Sequence, residues 1–167
     1  MASNRLFKTA ITDDSSTAKE QLGVLRREYD STNGFRVFKY VQASLTAAAS
    51  NGRVLCWYNS IGTVATDDVS TTRAGLPAGV AIGTLTNGQY GWIQIGGYHS
   101  AIDTDGHDDV ADGDTLIAQD TIDGVSGRVA FGTASTFKIL GVATVDDVNA
   151  DDTVAGLIDC TYGDTIQ

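Results

Sequence analysis

The sequence predicts an all-β protein, a compact β-barrel or β-sandwich body with an extended N-terminal arm, and three observations carry that prediction. Of its 21 acidic residues only Glu20 and Glu28 are Glu. The rest are Asp, which favours turns over helices because its short carboxylate bonds to its own backbone two residues on. With 19 Gly and a single Pro, plus abundant Thr, the composition describes many turns between strands. Short runs dense in β-branched and aromatic residues recur between Gly, Asn and Asp turns, a spacing that suits a sandwich or barrel and disfavours alternating βαβ units.

Taken in order, residues 1–17 show no sustained periodicity and read as an arm. The domain reading is an arm over 1–20 and one β domain over 21–167, since 167 residues suffice for a single core. Residues 18–30 carry two patterns. Ala18, Leu22, Leu25 and Tyr29 fall at helical spacing behind a Thr17-x-x-Glu20 capping box, whereas Leu22 to Asp30 also reads as a strand that turns at Ser31-Thr32-Asn33-Gly34 and returns as Phe35 to Gln42. The hairpin is preferred, because Asn-Gly supplies the positive φ of hairpin turns. Arg53 to Asn59 is a strand apolar on both faces. Gly79 to Leu85, a turn at Thr86 to Gln89 and Tyr90 to Gly97 form a second hairpin, in which Gly83, Gly91, Gly96 and Gly97 mark bulges or close approaches. Further strands are predicted at Thr115 to Ala118, Arg128 to Gly132, Lys138 to Val145 and Thr153 to Cys160. Asp108 to Leu116 matches Asp146 to Val154, and the same turn delivering the chain into a strand explains both copies.

The charge is polarised. Residues 1–53 carry a net +3 and residues 54–167 a net −13 within a total of −10. That balance disfavours nucleic acid as a partner, because wrapping phosphates needs clustered cations. No apolar run reaches the roughly 20 residues of a bilayer span, so no membrane partner and no signal peptide are expected. Cys56 and Cys160 are too few for a zinc site or a disulfide framework and read as core thiols.

No catalytic residues are expected. His99 and His107 lie in no nucleophile motif, and a pair of working carboxylates cannot be singled out among so many Asp. Asp103, Asp105, Asp108 and Asp109 alternate in a Gly-containing loop, a donor pattern of the kind calcium selects, but the match to an EF-hand loop is poor and a solvated turn is preferred, so neither metal nor cofactor is expected. The basic residues Arg5, Lys8, Lys19, Arg26 and Arg27 are candidates for contact with a protein partner or another subunit. Trp57, Tyr90 and Trp92 are candidate core or subunit-interface aromatics. Together with Tyr58 and Tyr98 they raise an alternative, a carbohydrate- or host-surface-binding β module, since aromatic faces stack on sugars.

Leu22-Gly23-x-x-Arg26-x-x-x-Asp30, Phe38-Lys39-Tyr40-Val41, Ala78-Gly79-Val80-Ala81-Ile82-Gly83, Gln89-Tyr90-Gly91-Trp92-Ile93-Gln94-Ile95-Gly96-Gly97, Asp112-Gly113-Asp114-Thr115-Leu116 and Ile139-Leu140-Gly141-Val142-Ala143 succeed one another in the chain. In this order the chain resembles the small capsid decoration (cement) proteins of tailed bacteriophages over roughly residues 20–160. It departs from their shortest members in the Ala43 to Asn51 connection and the Asp-rich stretch at 103–114. The resemblance implies a non-enzymatic homotrimer, made in the host cytoplasm and seated on the outer surface of the virion head, that stabilises the capsid by bridging major capsid protein subunits. On this reading the basic third faces the shell and the acidic body faces water.

Overall fold

The computed structural model describes residues 6–68, 76–104, 110–118, 126–129, 139–144 and 153–160. Its strands are β1 (Asp14–Ser15), β2 (Leu25–Asp30), β3 (Gly34–Ala43), β4 (Val54–Trp57), β5 (Val64–Thr66), β6 (Pro77–Ala81), β7 (Tyr90–Asp103), β8 (Thr115–Ala118), β9 (Ser126–Val129), β10 (Ile139–Ala143) and β11 (Thr153–Asp159). The protein is all-β, and no helix occurs among the described residues.

The ambiguous 18–30 segment resolves as the β2–β3 hairpin. Leu25, Arg27 and Tyr29 are exposed while Arg26, Glu28 and Asp30 are half-buried, a period of two that a helix cannot produce. Asp30 sets the turn: its Oδ1 accepts the main-chain N–H of Thr32 at 2.9 Å and of Asn33 at 2.8 Å, and Gly34 closes the loop at φ +77°. Those bonds, Asn33 first and Thr32 second, hold the Asp30 carboxyl below the usual carboxylate range. The Thr17-x-x-Glu20 pattern caps no helix; Glu20 instead accepts from the main-chain N–H of Lys8 and of Thr9 and from the Thr9 hydroxyl.

β7 is the spine. One of its edges pairs with β3 from Gln42↔Tyr90 to Val37↔Gly96. Its other edge takes β1 at Gly91, β6 at Ile93 and Gln94, and β11 from Gly96 to Asp103. Within the sheet β3, β5, β4, β6 and β7 pair in a ring, β3 and β5 running parallel. The sheet as a whole is not a closed barrel: β2 lies beyond the ring at one end, and β11, β10, β8 and β9 form a wing at the other.

The main core gathers Val41, Leu55, Trp57, Val80, Ile93, Ile95 and Ile102 with Leu116, Leu140 and Val154 from the wing. β4 is buried at every position, as its apolar run predicts. β3 is buried on two faces: Val41 and Ala43 enter the main core, while Phe38 and Tyr40 join Trp92 in a second cluster on the other side of the strand. Phe7, Ile11, Leu22, Val24, Ile82 and Tyr90 pack on that second cluster, so residues 6–15 form a strap across the sheet's outer face.

The second predicted hairpin is modified. The Thr86–Gln89 turn is present, with Gln89 N–H bonding Thr86 C=O at 3.0 Å, but β6 ends at Ala81. The chain leaves the sheet there because the strap occupies the adjacent edge: β1 pairs with β7, and Thr12 lies against Gly83. Both copies of the weak Asp repeat do lead into a strand, at Thr115 and at Thr153. Cys56 and Cys160 are buried thiols; burial first, then the neighbouring Asp159 charge, pushes the Cys160 thiol up.

Several glycines are structurally demanded, Gly97 among them. Gly97 sits at φ +88° just beyond the β7 bulge between Gln94 and Gly96, and a Cβ there would lie 2.2 Å from the Phe35 carbonyl oxygen. Gly88, at φ +78°, has open space around it. Gly97→Ala is expected to cost about 3 kcal/mol, backbone strain plus collision, whereas Gly88→Ala costs about 1 kcal/mol from strain alone. Urea unfolding midpoints of the two variants check the difference.

Candidate functional site

Three features of the β2, β3 and β7 region stand out: the strap and a polar cavity on its outer face, and an exposed apolar surface on the opposite face of the hairpin.

The strap is held by one cation among aromatics. The Arg26 guanidinium lies over the rings of Phe7 (5.2 Å) and Trp92 (5.7 Å), donates to the Thr9 carbonyl at 2.7 Å and pairs with Glu28. Phe7 meets Trp92 edge-on at 5.3 Å between centroids, and the Trp92 indole N–H donates to Thr9 Oγ1 at 2.9 Å. Each contact is modest, but the charge is shielded on one side by rings and matched on the other by oxygen acceptors. Lys19 contributes its main-chain N–H to the Tyr40 hydroxyl at 3.1 Å.

The hairpin presents an apolar surface to solvent. Tyr29 is 67% exposed and Phe35 54%, and these cross-strand neighbours touch edge to face at 5.0 Å. Leu25 is also exposed on this face, and the Arg27 guanidinium stacks on Phe35 at 4.1 Å. β2 pairs only with β3 among the described strands, so none of them covers its second edge.

The cavity, of about 160 Å³, is lined by Asn33 and Arg36 of the hairpin, Asn51, and Gln94, His99 and Ser100 of β7, with the strap's Thr12 on one side. Gln94 is fully buried; its Nε2 donates to the carbonyls of Gly96, Gly97 and Tyr98, tying the bulge together. His99 Nδ1 accepts the Ala101 N–H at 3.2 Å. Burial first, with the Arg36 charge adding and a bond to Ala81 opposing, pushes the His99 pKa down to about 4, so the ring is neutral at pH 7.

The candidate residues named from sequence are thus dispersed. Lys8, Lys19 and Arg27 are exposed, Arg26 is engaged by the strap, and Arg5 lies outside the described residues. Trp57 and Trp92 are buried within the chain and Tyr90 is half-buried, so the two tryptophans offer no face to a sugar ring. Asp103 ends β7, whereas Asp105, Asp108, Asp109 and His107 lie outside the described residues. Among the described residues no group of three His, Cys, Asp or Glu is placed to hold a metal ion. Sequence reasoning missed Arg36, Asn33 and Asn51, which the hairpin and a separate segment bring together. The only available signal was that Arg36 and Phe38 share a face of β3.

No protein-family model matches the sequence, and no curated protein matches it significantly. Among solved structures the chain is similar to the N base of the head fiber gp8.5 in bacteriophage phi29, at 14% identity and a TM-score of 0.45, over 74% of this chain and 95% of that one. A likeness of that size carries no functional argument.

Two outcomes follow from the geometry. Phe7→Ala removes the ring beneath Arg26 and is expected to cost about 1–2 kcal/mol, red-shift tryptophan emission and hasten proteolysis within residues 6–17. His99 binds its proton more weakly folded than unfolded, near 4 against 6.5. Its contribution is therefore complete above about pH 6.5 and is lost as pH falls towards 4, on the order of 3 kcal/mol in all. Between pH 7 and 4.5 the urea midpoint of His99→Gln should fall less than that of the parent.

Proposed function

We propose that the chain is a non-enzymatic structural protein of a tailed-phage head, a decoration protein that binds the outer capsid surface as a homotrimer and bridges major capsid protein subunits. The sequence resemblance supports the class. The observation that carries the reading is the hairpin face, where exposed Tyr29, Phe35 and Leu25 surround Arg27. Aromatics and arginine are the residues that concentrate binding energy at protein interfaces, and a folded protein gains nothing by leaving two rings in water.

The contact assignment differs from a simple basic-arm picture. Arg26 is committed to the strap, so the cation beside the hairpin aromatics is Arg27, while Lys8 and Lys19 are exposed at and just after the strap. A subunit contact at the low end of about 1,200 Å² is enough when three linked copies bind at once, because the second and third contacts are intramolecular.

The experiment is binding to purified undecorated heads. The parent chain is expected to saturate head sites and raise the head disruption temperature. The Tyr29→Ala, Phe35→Ala double variant, whose changes lie on an exposed face, is expected to keep its melting temperature within a few degrees and lose at least about tenfold in affinity. Undiminished binding by that variant, or no binding by the parent, overturns the proposal.

A further inference from the structure

The cavity between strap, hairpin and β7 has an electrostatic peculiarity. In a chain of net charge −10, no described residue lining it is acidic, and one is a cation. Arg36 is poorly neutralised among the described residues: the carboxylate oxygen paired with it, Asp30 Oδ2, is 3.9 Å away, and the other Asp30 oxygen is committed to the turn. The Arg36 Nε is buried without a hydrogen-bond partner, and its guanidinium rests on the Phe38 ring at 5.6 Å, which offers no hydrogen-bond acceptor. Around it stand neutral groups able to donate or accept: the amides of Asn33 and Asn51, and the Ser100 and Thr12 hydroxyls.

We propose that this cavity is a binding site for a single carboxylate group, taken up on Arg36 with Asn33, Asn51 and Ser100 around it. Its volume of about 160 Å³ equals roughly five waters, room for a carboxylate and a short stem but not for a large ligand. The planar guanidinium fork matches a planar carboxylate in two parallel hydrogen bonds. The charge count selects between anions. One guanidinium compensates one negative charge, whereas a phosphate dianion would bring an unpaired charge into a partly desolvated site. His99 is already engaged with backbone on both sides and supplies a neutral wall. The carboxylate can come from a free small acid or from an Asp or Glu side chain of a protein partner, two sources with the same chemistry. This inference does not depend on head binding.

The test is a titration of the full chain, followed through the Arg36 Nε–H and Gln94 side-chain amide signals in ¹H–¹⁵N spectra at constant ionic strength. The probes are acetate, N-acetyl-aspartyl amide and inorganic phosphate, with chloride as the salt control. Saturable shifts with acetate at about 1–10 mM, weaker by about tenfold or more in Arg36→Gln and in Ser100→Trp, which plugs the mouth, are the expected result. Saturation by acetate alone assigns the site to free acids, and saturation by the blocked aspartate as well admits a protein carboxylate. Melting curves establish that both variants fold, and the mouth variant tests the site without touching the cation. No saturation up to about 50 mM, equal binding in both variants, or phosphate binding more tightly than acetate overturns the proposal.

Discussion

The structure rests on the requirement that both edges of β7 be paired. A fourteen-residue strand exposes a long row of main-chain donors and acceptors, and left open it would be a template for another chain. β3 pairs with one edge from Tyr90 to Gly96, whereas the other edge is shared by β1, β6 and β11 in succession. That sharing explains most of what is unusual in the fold. β6 stops at Ala81 because β1 needs the next stretch of edge. The bulge between Gln94 and Gly96 falls near the handover from β6 to β11, and the fully buried amide of Gln94 holds it by bonding three successive carbonyls.

A strand buried on both faces needs two covers. For β3 the main core supplies one and the strap the other, so Phe38 and Tyr40 are shielded by a segment whose strand pairing is only two residues long. The strap is fastened by side chains instead: Arg26 among Phe7, Trp92 and the Thr9 carbonyl, and Glu20 on the main chain at Lys8 and Thr9. The basic character of the first third is thereby partly spent inside the molecule.

Local signals survive where they determine structure alone. Val54 to Trp57 is apolar throughout and is buried throughout; Thr115 to Ala118 is a strand between turns; and Asp30 to Gly34 carries its own turn chemistry in Asp30 and Gly34. β5 left no such signal, since Val64 and Ala65 pair in parallel with β3 only through tertiary structure. The helical spacing of Leu22, Leu25 and Tyr29 misleads because two of those residues face solvent. The candidate site was largely illegible. Arg36, Asn51 and Ser100 belong to separate segments, and nothing in their own surroundings says that they meet. Glu20 was legible as a cap and illegible in what it caps.

The pairing of β7 also sets how the molecule carries mechanical load. Its ladders with β3 and β11 are antiparallel and lie on opposite edges, offset along the strand, so their hydrogen bonds run across the strand axis. Tension applied at the hairpin and resisted at the wing travels along β7 and strains the rungs of each ladder together, in shear, instead of opening them one at a time like a zipper. The same fourteen residues that organise the sheet are a tie rod through it.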